Sequence, residues 1–264
     1  MSNSDDPDFI LLPGLCEDRP PVSSRVIRAL GERGISVAAL IVPYDDSDKL
    51  AIDRTTREAP IAVIHHINQV AGLPEDTPRH GIDHSQGGGG LLITAKEEPK
   101  LYRAIGAIAP VGMNNEVLGD NPKQRTNEFY QRLARNVFLP DQQLWHRGNF
   151  TAGRELGAGI WSDLRGRDGR KFGELLTAKL HYAMEQNLAE NVAILAKDRP
   201  VRIFAGDEDP VFKLAELAQA LGHVSCGNSL EVVPGSHISW ATRRGQEQLL
   251  TAVRWAESTE AQTA

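Results

Sequence analysis

Ser85 lies in the run Asp83-His84-Ser85-Gln86-Gly87-Gly88, between a short segment of strand character at 80–83 and an apolar segment of helical spacing at 91–97. A serine at a junction that sharp has its hydroxyl held clear of the backbone. The glycines after it suit a turn in which the chain passes close to its neighbours. The helix that follows would point its N-terminal N–H groups at the hydroxyl, where they can stabilise an oxyanion. The chemistry such a serine could do is nucleophilic attack on an acyl carbon. It would need an imidazole to take its proton and a carboxylate to fix the imidazole tautomer. The plain alternative is a glycine-rich turn that happens to contain a serine.

The run resembles the nucleophile elbow of the α/β-hydrolase superfamily, whose pattern is Gly-x-Ser-x-Gly. It departs from the pattern at Asp83, which stands where the first glycine belongs and calls for a wider turn or a hydrogen bond to accommodate it. Two later stretches extend the resemblance in the family's order, acid before histidine. Val201-Arg202-Ile203-Phe204-Ala205-Gly206-Asp207-Glu208-Asp209 is similar to the family's late strand followed by Gly-x-x-Asp. Val232-Val233-Pro234-Gly235-Ser236-His237 is similar to its last strand followed by a loop histidine. The resemblance implies Ser85 as nucleophile, His237 as general base and Asp209 as acid, with Asp207 and Glu208 as competing carboxylates. It implies an oxyanion hole made by the backbone N–H groups of Gln86 and Leu15, the latter in Leu12-Pro13-Gly14-Leu15-Cys16, with Cys16 in reserve. Pro13 replaces the family's usual histidine there and has no N–H to give.

Other reactive side chains do not form a competing site. His65 and His66 are adjacent in a helical pattern and point about 100° apart, so they are poor joint ligands. Cys16 has no partner spacing that would make it a nucleophile. No Walker-type lysine loop, dinucleotide fingerprint or metal-ligand cluster is found, so neither cofactor nor metal is expected.

Around the candidate residues, apolar segments alternate in type. Strand patterns fall at 9–12, 35–42, 80–83, 104–110, 201–205 and 230–233, and helical patterns at 22–30, 61–70, 91–97, 211–221 and 246–255. That alternation predicts a mostly parallel central sheet flanked by helices. From 112 to 199 the pattern changes to helices at 126–137, 141–145 and 173–195, with no convincing strand. The expected organisation is an α/β-hydrolase domain of 1–111 and 200–264, with 112–199 as a helical cap or lid. Trp145, Phe150, Trp161 and Tyr182 in that segment are candidate pocket residues, and their apolar character favours a small apolar or aromatic acyl substrate.

The bulk properties bound the rest. The 264 residues suffice for one large α/β domain. A net charge of −6 gives no long-range attraction to nucleic acid or anionic lipid. No run is long enough to span a membrane. Two cysteines do not make a disulfide framework, and the acidic, polar start does not read as a secretory signal, so a cytoplasmic setting is expected. A small-molecule substrate is the expected partner, and monomer and homodimer both stay open. The reading is a serine ester or thioester hydrolase. A cofactor-free lyase, oxygenase or acyltransferase on the same scaffold, or a binding protein with a relict site, are the alternatives.

Overall fold

The computed structural model describes residues 6–12, 20–39, 49–138, 169–235, 237 and 243–260. Within them lie β1 (Phe9–Leu12), β2 (Val37–Ala39), β3 (Arg79–His84), β4 (Tyr102–Ile108), β5 (Val201–Gly206) and β6 (Leu230–Val233). All neighbours pair in parallel, in the order β2-β1-β3-β4-β5-β6. The inner strands are buried on both faces, as a parallel sheet covered by helices requires.

Each face has its own core. On one, Val26, Ile27 and Leu30 of α1 (Pro20–Gly31) pack with Leu249 and Val253 of α9 (Arg243–Glu260) over Leu11, Ile82, Ile108 and Phe204. On the other, α2 (Lys49–Val70), α3 (Gln86–Glu97), α7 (Leu188–Leu195) and α8 (Leu214–His223) cover Ile10, Ile105, Ile203 and Ala205. The chain leaves β1 through α1 on the first face and β3 through α3 on the second. The strand order therefore reverses between β1 and β3, and the crevice at their carboxyl ends is where a parallel sheet of this kind presents ligand-binding residues.

The segment between β4 and β5 contributes α4 (Asn115–Leu118), α5 (Pro122–Phe138), α6 (Gly169–Glu185) and α7, with no strand among its described residues. The helix expected at 141–145 lies outside the described residues. The helix expected over 173–195 is two, because Asn187 interrupts it and caps the second, its Oδ1 accepting the Glu190 N–H at 3.3 Å.

The largest difference from expectation is α2, which starts at Lys49 rather than at 61. Its buried stripe is Ile52, Thr56, Pro60, Ile64 and Asn68, a strict four-residue spacing. Two of the five are polar and one is proline, so the apolar signal stops at Pro60 although the helix does not. A proline has no N–H to give the carbonyl four residues earlier, here Thr56. The Thr94 hydroxyl of α3 supplies the missing donor, 2.9 Å from that carbonyl oxygen.

Candidate active site

Ser85 follows β3 directly and precedes the first residue of α3. Its backbone has φ 54° and ψ −119°, a region that non-glycine residues rarely occupy and that costs on the order of 1–3 kcal/mol. Three main-chain bonds hold it there. Its N–H donates to the Ile108 carbonyl at 2.8 Å, and its carbonyl accepts from Val111 at 2.9 Å and from Gly89 at 3.2 Å. The turn brings α3 so close to the chain leaving β4 that a Cβ on Gly89 would stand 2.5 Å from the Val111 carbonyl oxygen. That contact, more than a general need for flexibility, explains a glycine at this position. Since the first helical bond of α3 is the one from Gly89 to Ser85, the Gln86 N–H lies among the helix-start donors that find no acceptor within the helix.

Asp83 is fully buried inside β3, paired in register with Leu12 and Ala107. The positive-φ turn at Ser85 is kept beside it. Burial pushes the Tyr102 phenol well above its ordinary range, and the nearby Asp83 charge adds to that rise.

The other two triad candidates come from the ends of β5 and β6. The chain leaving β6 passes so close to Gly206, the last residue of β5, that a Cβ there would collide with the Gly235 carbonyl. Of the three acidic residues after β5, Asp209 is the one that faces His237. Its Oδ2 lies 3.1 Å from Nδ1, with both side chains almost wholly buried. Its Oδ1 accepts the N–H groups of Val211 at 2.8 Å and Phe212 at 2.9 Å. Residues 211–213 form a loop, and the helix expected from 211 starts at Leu214. Asp207 turns the other way and accepts the Gly235 N–H at 2.8 Å, while Glu208 is exposed. The His237 ring has the rings of His84, centroids 4.9 Å apart, and of Phe212, at 5.2 Å, as tilted neighbours. The residue before Ser85 thus touches the imidazole that Asp209 orients. The pairing of Asp209 with His237, beside the residue before Ser85, is what a Ser-His-Asp triad would require of these two side chains.

Tyr182, on α6, is buried and its hydroxyl donates to Asp53 Oδ1 at 2.5 Å and accepts from Arg57 Nε at 2.9 Å, both on α2. Burial first, and the bond to Asp53 next, raise its phenol to about 12 against the opposing effect of Arg57. Leu15, Cys16, Trp145, Phe150 and Trp161 lie outside the described residues; β1, which leads to Leu15, ends at Leu12 beside Asp83. A cavity of about 370 Å³ opens among α4, α7 and α8, with Asn114, Glu190, Glu216 and His223 in its wall; neither Ser85 nor His237 lines it. Among the described residues no helix is long and apolar enough to cross a membrane, and no group of His, Cys, Asp or Glu is placed to hold a metal ion.

Sequence reasoning missed His84 and Phe212 as ring neighbours of the imidazole. It also missed the buried polar set of Asn114, Arg132 and Glu216 behind the acid loop. None of these sits at a spacing that signals its role; the three polar residues come from three elements separated in the chain.

The chain has the α/β-hydrolase fold. No family model matches it and no curated protein matches its sequence. Its likeness is to solved structures. An alpha/beta hydrolase, MGS-MChE2, from the metagenome of sediments of the Mar Chica lagoon in Morocco, aligns at 14% identity over 98% of this chain and 94% of its own, with a TM-score of 0.60. The 2-hydroxy-6-oxo-6-phenylhexa-2,4-dienoate hydrolase of Rhodococcus sp. strain RHA1 aligns at 15% identity over 96% and 91%, TM-score 0.62. A structure from work on carboxylesterases of the thaumarchaeon Nitrososphaera gargenis aligns at 15% identity over 96% and 92%, TM-score 0.59.

Proposed function

We propose that the protein hydrolyses a carboxylic ester or thioester of a small apolar or aromatic acyl group through an acyl-enzyme. The observation that carries the reading is His237 held by a buried Asp209 on one side and touching the residue before a strained Ser85 on the other. Asp209 as carboxylate accepts a hydrogen bond from Nδ1–H, which makes Nε2 the nitrogen that acts as base. The Ser85 hydroxyl oxygen attacks the acyl carbon while its proton passes to Nε2. The oxyanion is met by the N–H of Gln86 and, on the family's pattern, of Leu15. Collapse of the tetrahedral intermediate expels the alcohol or thiol, which takes the proton from His237. Water, deprotonated by the same imidazole, then releases the acid and frees Ser85.

The acyl preference rests on the amino-acid sequence, which puts the aromatic residues Trp145, Phe150, Trp161 and Tyr182 in the segment between β4 and β5, where their apolar character suits a pocket for such a group. The carboxylesterase work among the similar structures accords with an ester substrate. The fold itself does not choose, since it hosts many chemistries. The test is labelling of the folded protein with a fluorophosphonate probe, followed by peptide mapping. Modification at Ser85 together with turnover of short p-nitrophenyl esters or acyl thioesters is expected. A folded protein that neither labels nor turns over either substrate class would overturn the reading.

A further inference from the structure

We propose that Arg132, on α5 of the segment between β4 and β5, is a positioning residue for the triad acid, acting through the Val211–Phe212 peptide. The proposal rests on the hydrolase reading above for its catalytic consequence, but the geometry it explains is present in the resting protein.

The bonds form one continuous line. Arg132 is buried, and one terminal nitrogen donates to the Val211 carbonyl at 3.3 Å and to Glu216 Oε2 at 2.7 Å. The Val211 carbonyl belongs to the same peptide unit as the Phe212 N–H, and that N–H donates to Asp209 Oδ1 at 2.9 Å. The other oxygen of Asp209 meets His237 Nδ1 at 3.1 Å. A cation on the carbonyl end of a peptide polarises it, and the N–H at its other end becomes a stronger donor. The guanidinium thus both anchors the loop that carries Asp209 and strengthens one of the two backbone donors that fix its rotamer.

The guanidinium has a second carboxylate partner, and Glu216 has partners of its own. Glu128 accepts from Arg132 Nε at 2.8 Å, and Asn114 donates to the same Glu216 oxygen at 2.8 Å. Lys213 stands 3.8 Å from the other Glu216 oxygen. Burial opposes the charge of Arg132, but the bonds to Glu216 and Glu128 outweigh it and keep the group protonated. One turn earlier on α5, Phe129 packs its ring 5.8 Å from Phe212, whose ring in turn covers His237. Two residues of one helix therefore press on the same dipeptide, one through its carbonyl and one through its side chain. A buried ion pair that served folding alone would not need to end on this peptide.

Removing Arg132 alone would leave Glu216 as an uncompensated buried charge and could unfold the protein. The test uses the double variant Arg132→Met/Glu216→Leu, which removes both charges, and Arg132→Lys, which keeps a charge opposite Glu216. A lysine ammonium cannot hold Glu128, Glu216 and the Val211 carbonyl together as the guanidinium does. Thermal melts establish folding. The readouts are kcat and KM on a short ester, and the downfield proton resonance of the His237 Nδ1–H, which reports its bond to Asp209 without substrate. In the double variant kcat is expected to fall about 10- to 100-fold with KM unchanged, and the resonance to move upfield or broaden. Arg132→Lys is expected to change both in the same direction by less. Folded variants with wild-type kcat and an unmoved resonance would overturn the proposal, and if the double variant does not fold, Arg132→Lys decides on the same two readouts. If the wild type turns over no ester, the hydrolase reading fails while the resonance still decides whether Arg132 positions Asp209.

Discussion

His237 Nδ1 and Asp209 Oδ2 lie 3.1 Å apart, in a pocket that leaves both side chains almost without solvent. The other oxygen of Asp209 is taken by two backbone N–H groups. A buried carboxylate with three bonds of this kind has one orientation, and it passes that orientation to the imidazole.

Asp209→Asn is therefore expected to lower kcat by about 10²–10⁴-fold with little change in KM, since the amide would favour the wrong imidazole tautomer. Asp207→Asn and Glu208→Gln are each expected to cost less than about tenfold. Asp207→Asn should nonetheless lower the melting temperature, because its carboxylate receives the Gly235 N–H between the ends of β5 and β6. Initial rates and melts of the three variants, made in parallel, check the assignment. A crippled Asp207→Asn beside a nearly wild-type Asp209→Asn would refute it.

Much of this frame is legible in the residues. β1 is a continuous apolar run closed by turn residues, and burial on both faces of a parallel sheet needs no more, whereas β6, at the edge of the sheet, carries Glu231 and leaves Val232 exposed. The order serine, acid, histidine follows from where β3, β5 and β6 end. What is not legible has specific causes. In α2 the buried stripe runs through Thr56, Pro60 and Asn68, and a polar residue satisfied by a neighbouring element gives no sign of burial in its own sequence. At 211–213 the apolar residues of a helical pattern lie in a loop whose N–H groups bond to the Asp209 carboxylate, a contact that spacing does not record. The Arg132–Glu216–Asn114 set depends on tertiary contact among α5, α8 and the chain before α4, which no spacing records.

The Thr94 hydroxyl bonded to the Thr56 carbonyl gives a test of the proline inside α2. Thr94→Val should cost about 1 kcal/mol, because it removes a buried hydrogen bond to that carbonyl. Pro60→Ala provides an N–H four residues beyond that carbonyl, so the same threonine substitution should cost less in the Pro60→Ala background. Denaturant unfolding of the two single variants and the double variant measures the coupling. Strict additivity would show that the two groups do not share this acceptor.

Tyr182 joins α6 to α2 as a neutral phenol, with its titration raised to about 12 by burial first and by the bond to Asp53 next. A group that holds its proton more tightly when folded contributes stability in full below its unfolded titration, near 10, and loses it as pH rises through the folded value. The melting-temperature advantage of the wild type over Tyr182→Phe should thus be constant below about pH 9 and shrink between about pH 10 and 12. Taking the difference between the two proteins removes the common effect of lysine and arginine titration. An advantage that persists unchanged to pH 12 would mean that the hydroxyl is not held as a donor to Asp53.

Ser85 combines a reactive position with a strained backbone, and two substitutions separate these properties. Ser85→Ala and Ser85→Gly both remove the hydroxyl, so both should lower the hydrolysis of a short p-nitrophenyl ester by at least about 10³-fold. They should differ in stability. Alanine keeps a Cβ at φ 54° and therefore keeps the strain, whereas glycine adopts that conformation freely. The three bonds from Ile108, Gly89 and Val111 to the Ser85 backbone do not involve the side chain and fix the same φ in every variant. Glycine's larger unfolded-state entropy works against it by roughly 0.5–1 kcal/mol, less than the roughly 1–3 kcal/mol of strain released. Ser85→Gly is expected to melt above Ser85→Ala by a few degrees, at about 2–4 °C per kcal/mol for a domain of this size. Equal activity losses with the glycine variant more stable would show strain held at the nucleophile. A glycine variant no more stable than the alanine one would show that the turn is relaxed, and a folded alanine variant with undiminished turnover would remove Ser85 from the chemistry.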